Sequence, residues 1–238
     1  MPLPSIVTPS YTLELPSTGQ EIEYRPFLVK EEKLLILALE TEDSSQITKA
    51  ITTVLESCVL TKNIKINTLP TFDIEYLFLN IRGKSVGEEI ELEVVCPDDE
   101  ITKVKKNIPI ENIKVIKRDD HEKRIQISDE LMIEMKYPSL SQFIKGNFGT
   151  EELNVETSFD LISECIDKVY TTDEVWDCCD VTKEEIVNFI EQMNSSQFKK
   201  IEKFFETMPK LSYELPITNP KTKKKSKLTL EGLSSFFA

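Results

Sequence analysis

The sequence predicts an α+β protein in two parts. The first, residues 1–147, is a domain mixing helices with antiparallel sheet. The second, residues 148–238, is a mainly helical domain carrying a short C-terminal hairpin and an apolar tail. Three observations carry this reading. Apolar residues recur at helical spacing before residue 82 and again after residue 155. Between residues 88 and 136, short β-branched or alternating segments are separated by Pro and Asp clusters. Gly146-Asn147-Phe148-Gly149-Thr150 interrupts both patterns and is the best candidate boundary. With 238 residues and 39% hydrophobic content, the chain can bury a core of one large or two small domains.

Tyr11 to Leu15 and Glu21 to Tyr24 alternate apolar and polar residues across Pro16-Ser17-Thr18-Gly19, which predicts a hairpin. Two helices follow. Leu34, Leu35, Leu37, Ala38 and Leu39 form a greasy run in the first. In the second, Ile47, Ala50, Ile51, Val54, Leu55 and Cys58 recur at helical spacing behind an Asp43/Ser44 cap. Both are expected to contribute to one buried stripe. Pro70-Thr71 opens a further helix with Ile74, Leu77, Phe78 and Ile81 on one face, and Gly83 and Gly87 bracket the turn into a strand ending at Val95. Further strands are expected over Thr102 to Ile108, Ile113 to Lys117, Arg124 to Ile127 and Leu131 to Lys136. Pro138 ends the sheet, before a short helix over Ser139 to Ile144.

Beyond the break, three capped amphipathic helices are expected. Phe159, Ile162, Ile166 and Val169 stripe the first. Thr182-Lys183-Glu184-Glu185 is a capping box ahead of Ile186, Phe189, Ile190 and Met193. Ser195 or Ser196 caps a helix carrying Phe198, Ile201 and Phe205. Leu211 to Leu215 and Lys227 to Leu230 then suggest a late hairpin around Asn219-Pro220, and the chain closes on Leu233, Phe236 and Phe237.

Charge narrows the function. A net charge of -13 argues against nucleic acid or an anionic membrane surface as a main partner. The charge is uneven: residues 151–195 hold 2 Lys/Arg against 13 Asp/Glu, while residues 196–238 hold 9 against 4. Met-Pro-Leu-Pro-Ser has no basic leader region and no apolar run reaches bilayer length, so a cytoplasmic protein is expected. The five cysteines, Cys58, Cys96, Cys165, Cys178 and Cys179, are odd in number and lack scaffold spacing, which suits buried thiols.

Catalytic signals are weak. His121 is the only histidine and sits in a charged turn, where a solvated loop residue is the expected reading. Cys96-Pro97-Asp98-Asp99 has the turn of a zinc knuckle without its second cysteine, and no glycine-rich phosphate loop occurs. Asp98/Asp99, Asp119/Asp120 and Glu184/Glu185 pair carboxylates as turn and helix-start residues do. No cofactor and no metal is expected. A small metal-dependent or carboxylate hydrolase is the alternative in another class, and it would need a cleft of converging acids.

The order Arg25-Pro26-Phe27-Leu28-Val29-Lys30-Glu31-Glu32-Lys33-Leu34-Leu35, then Leu69-Pro70-Thr71-Phe72-Asp73-Ile74-Glu75-Tyr76-Leu77 and a strand ending in Cys96-Pro97-Asp98-Asp99, resembles the baseplate hub family of T4-like contractile-tailed phages. The resemblance is strong over the first half. In the second it rests on the acidic helical segment and the Leu230-Glu231-Gly232-Leu233-Ser234-Ser235-Phe236-Phe237 close. It implies a structural or assembly-chaperone protein without catalysis, working in the host cytoplasm during assembly or in the tail baseplate. Other hub or tail proteins would be its partners, and self-association stays open. The candidate partner-binding residues are Lys221, Lys223, Lys224, Lys225 and Lys227, a basic tip suited to an acidic surface on the 151–195 segment or on a partner, together with Leu233, Phe236 and Phe237 of the apolar tail.

Overall fold

The computed structural model describes residues 6–41, 43–140 and 155–236, and within them six α-helices and eleven strands in four sheets follow one another in mixed order. The first hairpin forms as its alternation requires. Strands β1 (Tyr11–Glu14) and β2 (Glu21–Tyr24) pair antiparallel with Leu13 opposite Ile22, and Gly19 takes the left-handed conformation in the turn. Helix α1 (Val29–Leu39) and helix α2 (Ser44–Cys58) pack on each other. Asp43 caps α2 by accepting the Ser45 N–H at 2.8 Å, and its expected stripe from Ile47 to Cys58 is buried.

Helix α1 departs from expectation. Of its run, Ala38 is buried and Leu35 partly so, whereas Leu34, Leu37 and Leu39 are exposed. The inward positions Glu31, Leu35 and Ala38 form one narrow row, and a run apolar on every side cannot be covered by a single neighbouring helix. Helix α3 (Thr71–Val86) buries Phe72, Ile74, Leu77, Leu79 and Ile81. Gly83 lies inside this helix, where a Cβ would come within 2.8 Å of Ile110 Cδ1, and Gly87 alone makes the turn, at φ 146°.

Strands β3 (Glu89–Val95) and β4 (Lys103–Pro109) form a ribbon with Ile90, Leu92 and Ile108 inward. Strand β5 (Lys114–Ile116) pairs with β10 (Lys210–Thr218), which pairs with β11 (Lys225–Glu231). The expected late hairpin is therefore present, lengthened at both ends and joined to the first half of the chain.

The second part is not mainly helical. Helix α4 (Val155–Cys165) stops before Ile166, and Ile166–Tyr170 is strand β8. It pairs with β7 (Leu131–Met135), Val169 opposite Ile133, while β7 also pairs with β6 (Arg124–Ser128) and β8 with β9 (Val175–Asp177). Ile162, Ile166 and Val169 fit a helical stripe by spacing, and Ile166 to Tyr170 does not alternate; a register shift between Glu134 and Met135 in the β7–β8 ladder is what sets Ile166 opposite Met135 and Val169 opposite Ile133. The decision falls to pairing: β7 carries buried Ile133 and Met135 and would otherwise present an open edge. Helices α5 (Lys183–Glu191) and α6 (Ser195–Thr207) form where their caps predict, the first with the Thr182/Glu185 capping box; Asn194, rather than a serine, caps the second. The sheet thus draws β6 and β7 from before the glycine break and β8 and β9 from after it. The break itself, and the short helix expected over residues 139–144 apart from its first two residues, lie outside the described residues.

Two apolar clusters result. One gathers β1 to β4, α2, α3, β10, β11 and Phe236. The other gathers β6 to β8, Cys178 and the three later helices around Met135, Cys165, Ile201 and Phe204. Between them, the Phe72 ring of α3 meets Tyr137 edge-on at 5.0 Å, and Tyr137 stacks near Phe204 of α6.

Candidate partner-binding surface

The lysine cluster occupies the tip of the β10–β11 hairpin, and the local sequence makes that tip rigid. Asn219 is fully buried, and its Oδ1 accepts the backbone N–H groups of Lys221 at 2.8 Å and Thr222 at 3.2 Å, an Asx turn. The Asn219 N–H donates to the Lys224 carbonyl at 3.0 Å and the Lys223 N–H to the Asn219 carbonyl at 2.9 Å. Lys223 takes the left-handed conformation at φ 62°. The Asn219 amide then donates outward, at 2.9 Å each, to Asp98 and Asp99 of the β3–β4 turn, and the Thr222 hydroxyl donates to Asp98.

These contacts fix the charge on the acidic turn. Hydrogen bonds from Thr222 and Asn219 hold the Asp98 carboxyl below its ordinary value, and those from Thr102 and Asn219 hold Asp99 well below the carboxylate range. Both stay ionised beside the basic tip, yet they touch its amide and hydroxyl rather than its ammonium groups. Lys221, Lys223, Lys224, Lys225 and Lys227 are all exposed. Lys227 pairs with Glu214 across the strands at 2.6 Å, whereas among the described residues the other four make no ion pair. The carboxylates next to the tip therefore come from Asp98 and Asp99 of the first half of the chain.

The apolar tail is placed elsewhere. Leu233 opens a 3-10 turn, Leu233–Phe236, which follows Gly232 at φ 70°. Phe236 is 0% exposed in the first apolar cluster, at a depression lined by Arg82, Val86 and Leu92. Phe237 lies outside the described residues. Lysine tip and Phe236 sit at opposite ends of β11, so the two do not form one exposed surface.

Sequence reasoning missed two features. The first is the exposed apolar face of α1, where Val29 is 80%, Ile36 51% and Leu37 50% exposed beside Leu34 and Leu39. The signal was the lack of any polar stripe between Leu34 and Leu39. The second is the surrounding of His121, which is half-buried rather than solvated, stacked on Tyr137 and tilted against Phe204. Its Nδ1 and Nε2 lie 3.0 Å from the Thr207 and Tyr137 hydroxyls. Thr207 Oγ1 already donates to the Lys203 carbonyl at 2.7 Å, so it accepts from Nδ1–H, and Nε2 accepts from Tyr137. Burial, and then the neighbouring Lys123, lower the His121 pKa. Both ring nitrogens of the neutral imidazole are thus engaged in tying the turn at His121 to α6 and to the segment that follows β7.

Among the described residues, Cys58, Cys96, Cys165 and Cys178 are buried thiols and Cys179 is exposed, and no three His, Cys, Asp or Glu side chains converge to hold a metal ion. No helix there is long and apolar enough to cross a membrane. Compared with known families, residues 8–238 match the model described as "T4 bacteriophage base plate protein". No curated protein and no solved structure matches the chain.

Proposed function

The chain belongs to the family of T4 bacteriophage base plate proteins, which gives it a structural role in a phage tail, and from that membership we propose that it works at the base plate hub by protein–protein contact, as a hub subunit or as the factor that assembles the hub. The observation carrying this reading is the reach of the match, which covers both apolar clusters and the lysine hairpin. The exposed surfaces support it. A pre-formed cationic tip suits an acidic partner patch, setting register and association rate. An uncovered apolar helix suits burial against a neighbouring subunit. We take the protein to be non-catalytic, since its single histidine is engaged at both ring nitrogens by packing partners.

The test is fractionation of infected cells with an antibody to this chain, combined with cross-linking. We expect it in complexes with hub proteins, with cross-links from Lys221, Lys223, Lys224 or Lys225. Detection in purified virions would make it a subunit; detection in assembly intermediates alone would make it an assembly factor. Recovery only outside base plate complexes would overturn the proposal.

A further inference from the structure

A second surface lies in the acidic part of the chain. Between the β7–β8–β9 sheet and helix α5 an apolar groove of about 300 Å³ stays open, lined by Leu131, Val169, Trp176, Val181, Ile186 and Phe189. Trp176, the only tryptophan, is 41% exposed there. That volume is at the bottom of the range for small-molecule sites, which suits a few side chains of a longer segment better than a whole ligand.

The register decides what surrounds the opening. Met132 lies opposite Tyr170, so Leu131 and Thr171 share one end of the sheet, and the β6–β7 and β8–β9 turns meet there. Those turns carry Asp129, Glu130, Asp173 and Glu174, all exposed, and Glu185 of α5 borders the groove. Among the described residues none of the five makes an ion pair. Lys168 and Lys183, the only cations of residues 151–195, are committed to Asp177 and to Asp160 and Glu164. The groove thus has an apolar floor, Glu185 at its border and four carboxylates without ion pairs in the turns at one end of the sheet.

We propose that this groove docks apolar side chains carried on a cationic segment of another base plate protein. The proposal rests on the contact role argued above. A second copy of this chain fits less well: its lysine tip offers no exposed apolar anchor, and the exposed side of α1 balances Lys30 and Lys33 with Glu32 and Glu40. Charge complementarity selects a basic partner, and the apolar floor demands anchors between its charges.

The sole tryptophan reports occupancy directly. The full-length protein is titrated with an amphipathic Leu/Lys helical peptide, its Leu/Glu counterpart and a Ser/Lys peptide. We expect a saturable blue shift of Trp176 emission with Leu/Lys alone, weakened by salt. Asp173→Asn with Glu174→Gln should weaken it, and Thr171→Lys, at the groove mouth, should weaken it about tenfold with an unchanged circular dichroism spectrum. Four results would overturn the proposal: no emission change with any peptide, equal response to Ser/Lys, equal response to Leu/Glu, or a concentration-dependent shift of the protein alone, which would make a second copy the occupant. Any of these leaves the fractionation result, and so the contact role itself, standing or falling separately.

Discussion

Asn219 joins two turns through four side-chain hydrogen bonds. It closes the lysine turn from within and ties it to Asp98 and Asp99, so one substitution should loosen both turns. Asn219→Ala removes all four side-chain bonds at a fully buried position. We expect a loss of about 1–3 kcal/mol, read as a lower Tm, with the lysines still present but their turn more mobile. Asn219→Asp should be worse at neutral pH, because it sets a third carboxylate against an ionised pair, and should recover partly as acid protonates it. His121 makes the opposite pH statement. Its folded pKa lies below the ordinary 6.5, so the unfolded chain binds the proton more tightly. The stability it contributes is full above that value and is lost as pH falls from it toward the folded pKa. Thermal melts across mildly acidic pH should show that loss in the unaltered protein and a flatter response in His121→Asn; equal slopes would refute it.

The neighbouring helices α1 and α2 behave differently, and mutation should separate them. In α2, Leu55 is fully buried, and Leu55→Ala should cost about 2–5 kcal/mol. In α1, Ile36→Gln and Leu37→Gln change half-exposed positions. They should move stability by no more than about 0.5 kcal/mol, while recovery of the protein with base plate intermediates falls. The C-terminal turn belongs with α2 in this respect. Phe236→Ala should cost about 3–5 kcal/mol, since the ring fills the first core; a variant of unchanged Tm would mean that this packing is dispensable.

Strand pairing binds early and late chain into one molecule. Strand β5 takes β10 as its neighbour and β7 takes β8. A chain ending at residue 147 would leave both with open edges and would uncover Ile125, Ile133 and Met135. We expect it to aggregate or bind a hydrophobic dye, and soluble monomer with native-like spectra would contradict the pairing. The same long-range pairing accounts for the limits of sequence reading. The first hairpin, α2, α3, the β3–β4 ribbon, α6 and the capping box of α5 were legible because alternation, helical spacing, caps and turn residues lie within a few residues of one another. Ile166 to Tyr170 was not, because Ile166 and Val169 keep helical spacing and become strand neighbours only through an irregular pairing with β7, more than thirty residues away.

The candidate site divides along the same line. Sequence alone determined that residues 221–227 carry a basic cluster in a late hairpin, that residues 151–195 are strongly acidic, and that the chain shares the order of a base plate family, because charge and motif order are written residue by residue. Only the tertiary structure decided that Asp98 and Asp99 brace the lysine tip, that Phe236 is buried in the chain's own core, that one face of α1 stays uncovered, and that acidic turns lie at the end of the sheet that carries the Trp176 groove. Each of these depends on which surfaces distant segments cover. Burial is a property of the packed chain, and local periodicity states which face is apolar without stating what, if anything, will lie against it.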